Sequence, residues 1–391
     1  MRQPPKAGGG RNSFETGDTP CDAIILYFAA PPEATMAKTG NEDINVVKIV
    51  YSGPLALRLR SLAKLSQIAI ATSIRHALGR RMADDWDANM ETGIRFVRHQ
   101  FTAAMRHRDI AQGRELFDSL QTQTDDIYEV TSSAAQGISG RWYDPKHRES
   151  EAVLLYFHGG GYTFNGGVSG RFAQMLSHHT GARLFAPDYR LTPEHPHPAQ
   201  ADDAINAWNF LAAQVPAEKI VVIGDSAGGH MALMLLQSLK AQDKPQPALC
   251  IGLCPWTDIG DRGSSLQGNN PTDLVQGWMA LQFGKWLDPD QAFGREALSP
   301  ISHDYSGLAP LYLQAGGREV LRDMIIEFAQ VQKENGADVS LDLWPDMPHD
   351  FQAYDSMTTS STTALTRIRH AIDTHIAAGG SLAGLQDITI V

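Results

Sequence analysis

"VVIGDSAGGH", residues 221–230, decides how the chain is read. The apolar, β-branched run "KIVVIG" (219–224) leads into it, and a helix-forming stretch, "AGGHMALMLLQSL" (227–239), follows. Ser226 stands between them, and Gly224-Asp225-Ser226-Ala227-Gly228 fits G-x-S-x-G. In a strand-turn-helix context the serine occupies a tight, strained turn that tolerates only small neighbours. Gly224 and Gly228 let the backbone approach itself closely. The helix start aims amide N–H groups and the positive end of its dipole at the serine oxygen. The same letters also fit a serine that only caps a helix, so the surroundings decide.

Outward from this stretch the chain alternates strand and helix. "AVLLYF" (152–157), "ARLFAP" (182–187), "ALCIGL" (248–253), "LYLQAG" (311–316) and "VSLDLW" (339–344) read as strands buried on both faces. Helix-length segments lie at 199–214, 227–242, 320–335 and 359–377. "DIYEV" (126–130) and "GISGRWY" (137–143) alternate as antiparallel edge strands do. The pattern predicts an α/β fold with a mostly parallel sheet and flanking helices. Thr257–Pro310 breaks the rhythm and reads as a loop-and-helix insertion.

Ahead of the strands lies a helical region. Leu55, Leu59, Leu62, Leu65, Ile68 and Ile74 recur at near-helical spacing. A second helix is expected within 82–105 and a third from Asp109 to Leu120, all preceding any strand. Arg58, Arg60, Lys64 and Arg75 make the first helix basic and amphipathic. It reads either as a packing helix with solvated charges or as one lying on a membrane surface. Residues 1–35, rich in Pro and Gly, read as a disordered tail, upstream or vector-derived, with a native start at Met36. "AIILYFAA" (23–30) is short and follows acidic "ETGD", which makes a poor signal peptide.

The 391 residues suit one large α/β domain with a cap or insertion. A net charge of −11 argues against nucleic acid as a partner. The three cysteines, Cys21, Cys250 and Cys254, form neither a disulfide framework nor a metal site. Cys250 and Cys254 read as small buried apolar residues, and the expected setting is reducing or redox-indifferent, with a cytoplasmic location. No apolar run approaches the ~20 residues of a membrane span, so stable insertion is not expected.

A serine nucleophile needs a base. His349, in "PDMPHDF" (345–351), follows the last predicted strand, where α/β folds collect functional groups. His303, His370 and His375 read as surface residues. Between Ser226 and His349, "LYLQAGGREVLRD" (311–323) offers two acids to orient the base. Glu319, in the loop after the strand, is preferred; Asp323, a helix-start acid, is the runner-up. "YFHGGGYTFNGG" (156–167) offers unshielded amides for an oxyanion at Gly159, Gly160 or Gly161. The amide of Ala227, after the serine, completes that set. His158 reads as structural.

"HGGGY" (158–162), "DYRLTPEHPHPA" (188–199), "GDSAGG" (224–229) and "MPHDF" (347–351), in that order, resemble the hormone-sensitive-lipase-like family of α/β-hydrolases, the bacterial family IV carboxylesterases. The resemblance spans about 125–378, and the preceding helices are similar to that family's cap. It implies an α/β-hydrolase fold with a cap from 36–124 and a catalytic part from 125–391, to which 257–310 contributes a cap insertion. It implies cofactor-free, metal-free hydrolysis of short- to medium-chain acyl esters through an acyl-enzyme. Ser226 would be nucleophile and His349 base. The family usually has Asp in a "DPLRD"-like stretch, and Glu319 stands there in "EVLRD". Tyr162, Trp256, Trp278, Met279, Phe283 and Trp286 are candidates for the acyl pocket, and Arg190 is expected to pair with Glu194. An arylformamidase-like amidase and a membrane-associated lipase remain as alternatives. A ligand-binding relative without catalysis is disfavoured because His349 is retained. The protein is expected to act as a monomer or homodimer.

Overall fold

The structure, a computed structural model, describes residues 48–51, 53–84, 86–123 and 128–378. The expectations for the 1–35 tail, residues 23–30, Cys21 and Met36 lie outside the described residues. In chain order the elements begin with β1 (Lys48–Tyr51), α1 (Leu55–Ala77), α2 (Ala88–Met105), α3 (Ile110–Asp118) and β2 (Leu120–Gln123). Next come β3 (Val130–Ala134), β4 (Gly140–Pro145), β5 (Val153–Phe157), α4 (Gly167–Thr180), β6 (Arg183–Pro187) and α5 (Ala199–Ala212). β7 (Ile220–Asp225), α6 (Ala227–Ala241) and β8 (Leu249–Leu253) follow. The insertion carries α7 (Ser265–Gly268), α8 (Gly277–Leu287) and α9 (Arg295–Leu298). β9 (Leu311–Gly316), α10 (Arg322–Glu334), β10 (Val339–Trp344) and α11 (Thr359–Ala378) are the last helices and strands among the described residues.

Eight strands form one sheet in the order β10-β9-β8-β7-β5-β6-β4-β3. The strands from β10 to β6 run parallel, and β4 and β3 add antiparallel pairs at one edge. Every residue of β5, β7, β8 and β9 is buried, which is why these strands read as unbroken apolar runs. Along β7 the alternation divides the two faces. Ile220 and Val222 join the core under α5, α6 and α10. Val221 and Ile223 join the core under α4 and α11. A third cluster around Trp86, Ile94, Trp344 and Phe351 ties α2 to the segment after β10.

Two strand expectations shift. The first edge strand is paired over Val130–Ala134 and is mostly exposed; of the expected 126–130, residues 126 and 127 lie outside the described residues and 128–129 precede the paired register. An edge strand with one neighbour needs no buried face, so its alternation is a weak signal. The helices also do not precede every strand: β1 and β2 pair antiparallel on either side of α1–α3. At four residues each, they are too short to show a period. Of the histidines read as surface residues, His370 is exposed and His303 half-buried, but His375 is buried. It sits on the side of α11 that faces the sheet. Cys250 and Cys254 are buried, and burial pushes both thiols up.

The expected Arg190–Glu194 pair is not formed. Arg190 instead grips Asp203 on α5 through Nε and Nη2, at 3.0 and 2.8 Å, a bidentate fit that Glu194 does not match. Glu194 takes Arg114 of α3 at 2.7 and 2.8 Å. Arg114 also donates to the carbonyls of Thr163 (2.7 Å) and Thr192 (2.9 Å). One guanidinium thus joins the N-terminal helices to two loops at the top of the sheet. Hydrogen bonds from a charged donor are worth roughly 1.5–3 kcal/mol. Glu194 is half-exposed, so its share is small. Arg114→Met is expected to cost roughly 2 kcal/mol, read as a lower urea midpoint at unchanged slope.

Candidate active site

Ser226 sits at φ 53°, ψ −117°, between the last residue of β7 and the first of α6. For a residue with a Cβ this conformation costs about 1–3 kcal/mol. Hydrogen bonds on both sides hold it. Its N–H donates to Leu253 (2.9 Å), and its carbonyl accepts from His230 (3.0 Å) and Trp256 (3.1 Å). A Cβ on Gly228 would run into the Phe157 carbonyl, and one on Gly224 into the backbone of Gly228. The strand and helix pack so closely here that only glycine fits.

His349 lies beyond β10 and is fully buried. Its Nδ1 is 2.6 Å from Oε2 of Glu319, which is also fully buried. The other carboxylate oxygen of Glu319 accepts the Gly316 N–H at 2.7 Å. Asp323 is occupied elsewhere, accepting from Ser264 (2.8 Å) and the Ser265 amide (2.9 Å). Of the two candidate acids the structure brings Glu319 to His349. Asp350 Oδ2 stands 3.3 Å from His349 Nε2. Burial alone would lower the His349 pKa, but Asp350, Glu319 and Asp273 outweigh it and raise it above the ordinary imidazole value.

Asp273, in the insertion, carries no signal in the sequence. Its buried carboxylate accepts the amides of Val320 (2.7 Å) and His349 (3.1 Å). One side chain thereby fixes the Glu319 loop and the His349 loop together. Burial pushes its pKa up to about 6, despite relief from His349. Cys254 Sγ, Glu319 and His349 have donor atoms within 4.8 Å of one another, as a metal site would. The Glu319 carboxylate is already bound by His349 and Gly316, and burial holds the thiol protonated. Hydrogen bonding accounts for the group.

The glycine loop follows β5, which lies beside β7. Gly160 and Gly161 have φ of 96° and 62°. A Cβ on Gly160 would meet the Phe164 carbonyl, and one on Gly161 the Phe283 ring. Among the described residues, the amides of Gly160, Gly161 and Ala227 donate to no protein acceptor. Asp225 links this loop to the serine turn. It accepts the Tyr156 hydroxyl at 2.7 Å and lies against the backbone of Gly159. Burial, offset by Tyr156, pushes its pKa up to about 6. His158 stacks on Tyr189 at 4.2 Å, and its Nδ1 is 2.7 Å from the Gly159 carbonyl. Burial lowers its pKa to about 4, which fits a neutral structural role.

Ser226, Ala227, Gly159–Gly161, His349 and Asp350 all line one cavity of about 470 Å³. Its walls are mostly apolar and include a face of α2 (Gly93, Phe96, Val97, Gln100), Leu65 of α1, and Phe283 of α8. Of the expected acyl-pocket residues, Trp256 and Phe283 line this cavity. Tyr162, Trp278, Met279 and Trp286 do not. The Tyr162 hydroxyl is 2.6 Å from His230 Nδ1 in the core, and Met279 is fully buried there. Trp278 lies under the Arg106 guanidinium, and Trp286 packs on Phe283. Met279 and Trp286 lie one helical turn from Phe283, on the same side of α8, so it is tertiary packing and not helical phase that seats Met279 in the core and Trp286 against the Phe283 ring. Phe101, Phe117 and Phe164 were missed. They meet across 4.9–5.2 Å between ring centroids, a contact among three separated segments.

A family model for the α/β-hydrolase fold matches residues 154–353. The chain belongs to the α/β-hydrolase family, in its hormone-sensitive-lipase-like group of carboxylic ester hydrolases. Among curated relatives, an acetyl-hydrolase of Streptomyces hygroscopicus is 31% identical over 265 residues, 66% of this chain and 85% of the relative. An ethyl acetate hydrolase of Pseudomonas putida is 26% identical over 307 residues, 74% of this chain and 96% of the relative. A solved esterase of the bacterial hormone-sensitive lipase family superposes with a TM-score of 0.68 at 28% identity, covering 75% of this chain and all 100% of that one.

The raised His349 pKa fixes the sign of a pH response. A histidine that serves as a base works only when neutral, so if His349 holds that role activity is expected to fall as pH drops through its pKa. With that pKa raised, the acid limb of kcat/KM is expected above the ordinary imidazole value of about 6.5. A pH profile with a dissolved ester checks this, and a limb at or below that value contradicts it.

Proposed function

We propose that the protein is a serine carboxylesterase acting on short- to medium-chain acyl esters through an acyl-enzyme. The observation that carries this reading is the buried Glu319–His349 hydrogen bond, 2.6 Å long, on the cavity that also holds Ser226. Ser226 Oγ attacks the ester carbonyl while His349 takes its proton. Glu319 holds the imidazole in the required tautomer and balances the imidazolium that forms. The amides of Gly160, Gly161 and Ala227, aided by Gly159 shaping the loop, receive the oxyanion. His349 returns the proton to the leaving alcohol. Water, deprotonated by His349, then releases the acid and frees Ser226.

The apolar cavity of about 470 Å³ supports a modest acyl chain, as do relatives named for acetyl and ethyl acetate hydrolysis. We read 36–124 as a cap and 257–310 as its second part, because α1, α2 and α8 supply walls of the cavity. The catalytic steps need no cofactor. Sparse cysteines, with Cys250 and Cys254 free and buried, are in keeping with a cytoplasmic enzyme.

The test is hydrolysis of p-nitrophenyl esters from acetate to palmitate by wild type and three variants. Ser226→Ala is expected to lower kcat by at least about 10⁴-fold, and Glu319→Gln by about 10³- to 10⁴-fold. Asp323→Asn is expected to stay within about threefold of wild type. Rates should fall beyond medium chains. Loss with Asp323→Asn and not with Glu319→Gln would overturn the assigned acid. Formanilide turnover exceeding that of every ester would replace the esterase reading with an amidase.

A further inference from the structure

α1 has two apolar faces. The inner face buries Ser61, Leu65 and Thr72, and Leu65 reaches the active-site cavity. The outer face carries Leu55, Leu59, Ile70 and Ile74, with Leu78 just past the helix end. These five side chains are 54–64% exposed. Their spacings of four, eleven, four and four residues return to one side of a helix, opposite Leu65. The apolar repeat seen in the sequence is thus split between core and solvent.

The charge around this stripe is one-sided. Residues 53–83 hold six Lys and Arg and no Asp or Glu, in a chain of net charge −11. Beside α1 runs an open groove lined by Lys64, Arg75, Arg95, Arg98, His99 and Arg106. Buried Glu91 is shared by Arg95 (2.7 Å), His76 (2.8 Å) and Arg75 (4.0 Å), one carboxylate for the three. Burial and then the charges of Lys64 and Arg60 lower the His99 pKa, in keeping with a positive local potential.

The geometry points to the outer face of α1 as a docking surface for an anionic phospholipid bilayer. A row of apolar side chains edged by Lys and Arg is the pattern of a helix that lies in the membrane interface. The apolar row enters the headgroup boundary, and the basic edge meets lipid phosphates. Among the described residues no helix is long and apolar enough to cross a membrane, so the helix lies on the bilayer. A second copy is a poorer occupant. A two-fold interface through this face would set Arg60 and Lys64 against the same charges of the partner. An anionic surface satisfies both halves of the pattern at once. Leu65 on the inner face places the docked helix directly over the cavity.

The test is co-sedimentation of the full chain with vesicles of phosphatidylcholine, with and without phosphatidylglycerol. The readout is binding, so it stands apart from the catalytic reading. Binding is expected to the anionic vesicles and not to the neutral ones. It should weaken from about 0.1 M to about 1 M salt, where the Debye length shrinks from about 10 Å to about 3 Å. The Leu59→Ser/Ile70→Ser double variant should partition at least about tenfold more weakly. Both residues are exposed and outside the cavity lining, so its melting temperature and its turnover of dissolved p-nitrophenyl butyrate should match wild type. Four outcomes would overturn the inference: no binding to anionic vesicles, equal binding to neutral ones, binding that survives the double substitution, or a wild-type dimer in light scattering that the substitution abolishes without any vesicle binding.

Discussion

A residue with a Cβ is held at φ 53° between a fully buried strand and a fully buried helix turn, and the upper surface of the sheet is arranged around it. The turn exists because β7 and α6 touch where only glycine fits. Its strain is offset by backbone hydrogen bonds to Leu253, His230 and Trp256, which belong to β8, α6 and the segment after β8. Relaxing the turn would break contacts in three elements. That over-determination lets a chain keep a strained residue. It also places Ser226 in the lining of the cavity.

Around this point the molecule gathers acids. Asp225, Asp273, Glu319 and Asp350 all lie close to one imidazole. Carboxylates packed this closely repel, and burial raises the cost of each charge. For three of them amides and a hydroxyl take up the oxygens, whereas Asp350 faces His349 through Oδ2 and its Oδ1 has no partner among the described residues. Gly316 serves Glu319, Tyr156 serves Asp225, and Val320 and His349 serve Asp273. The resulting field favours a positive imidazole, and an imidazolium is the species that appears when a serine loses its proton to histidine.

The helices at the front of the chain have a divided allegiance. Arg114 fastens α3 to the loops that carry the glycine run and Thr192, so the cavity wall and the sheet share one anchor. α1 is held less firmly, with few fully buried residues and an apolar row left in solvent. Packing alone does not account for both faces of α1.

The sequence by itself determined what depends on neighbours along the chain. β9 runs over the span its apolar run predicts, as a strand buried along its whole length should. β10 keeps its predicted span too, but as an edge strand with Ser340 and Asp342 buried and Leu341 and Leu343 half-buried. The serine turn and the glycine loop were legible for a related reason: tight backbone contacts demand glycine, and glycine is visible as a letter. Asp225 and Asp350 stood in view beside Ser226 and His349, but the burial of Asp225 and the approach of Asp350 to the imidazole did not. What only the tertiary structure decided depends on residues far apart. Asp273 reaches a residue 76 positions away, and Arg114 one 80 positions away. Arg190 chose Asp203 over the nearer Glu194 because α5 brings a carboxylate into bidentate reach. The cavity wall was misjudged on α8 for the same reason. Hydrophobicity says that a side chain avoids water, but only the packing of whole helices says whether it does so in the core or around a ligand.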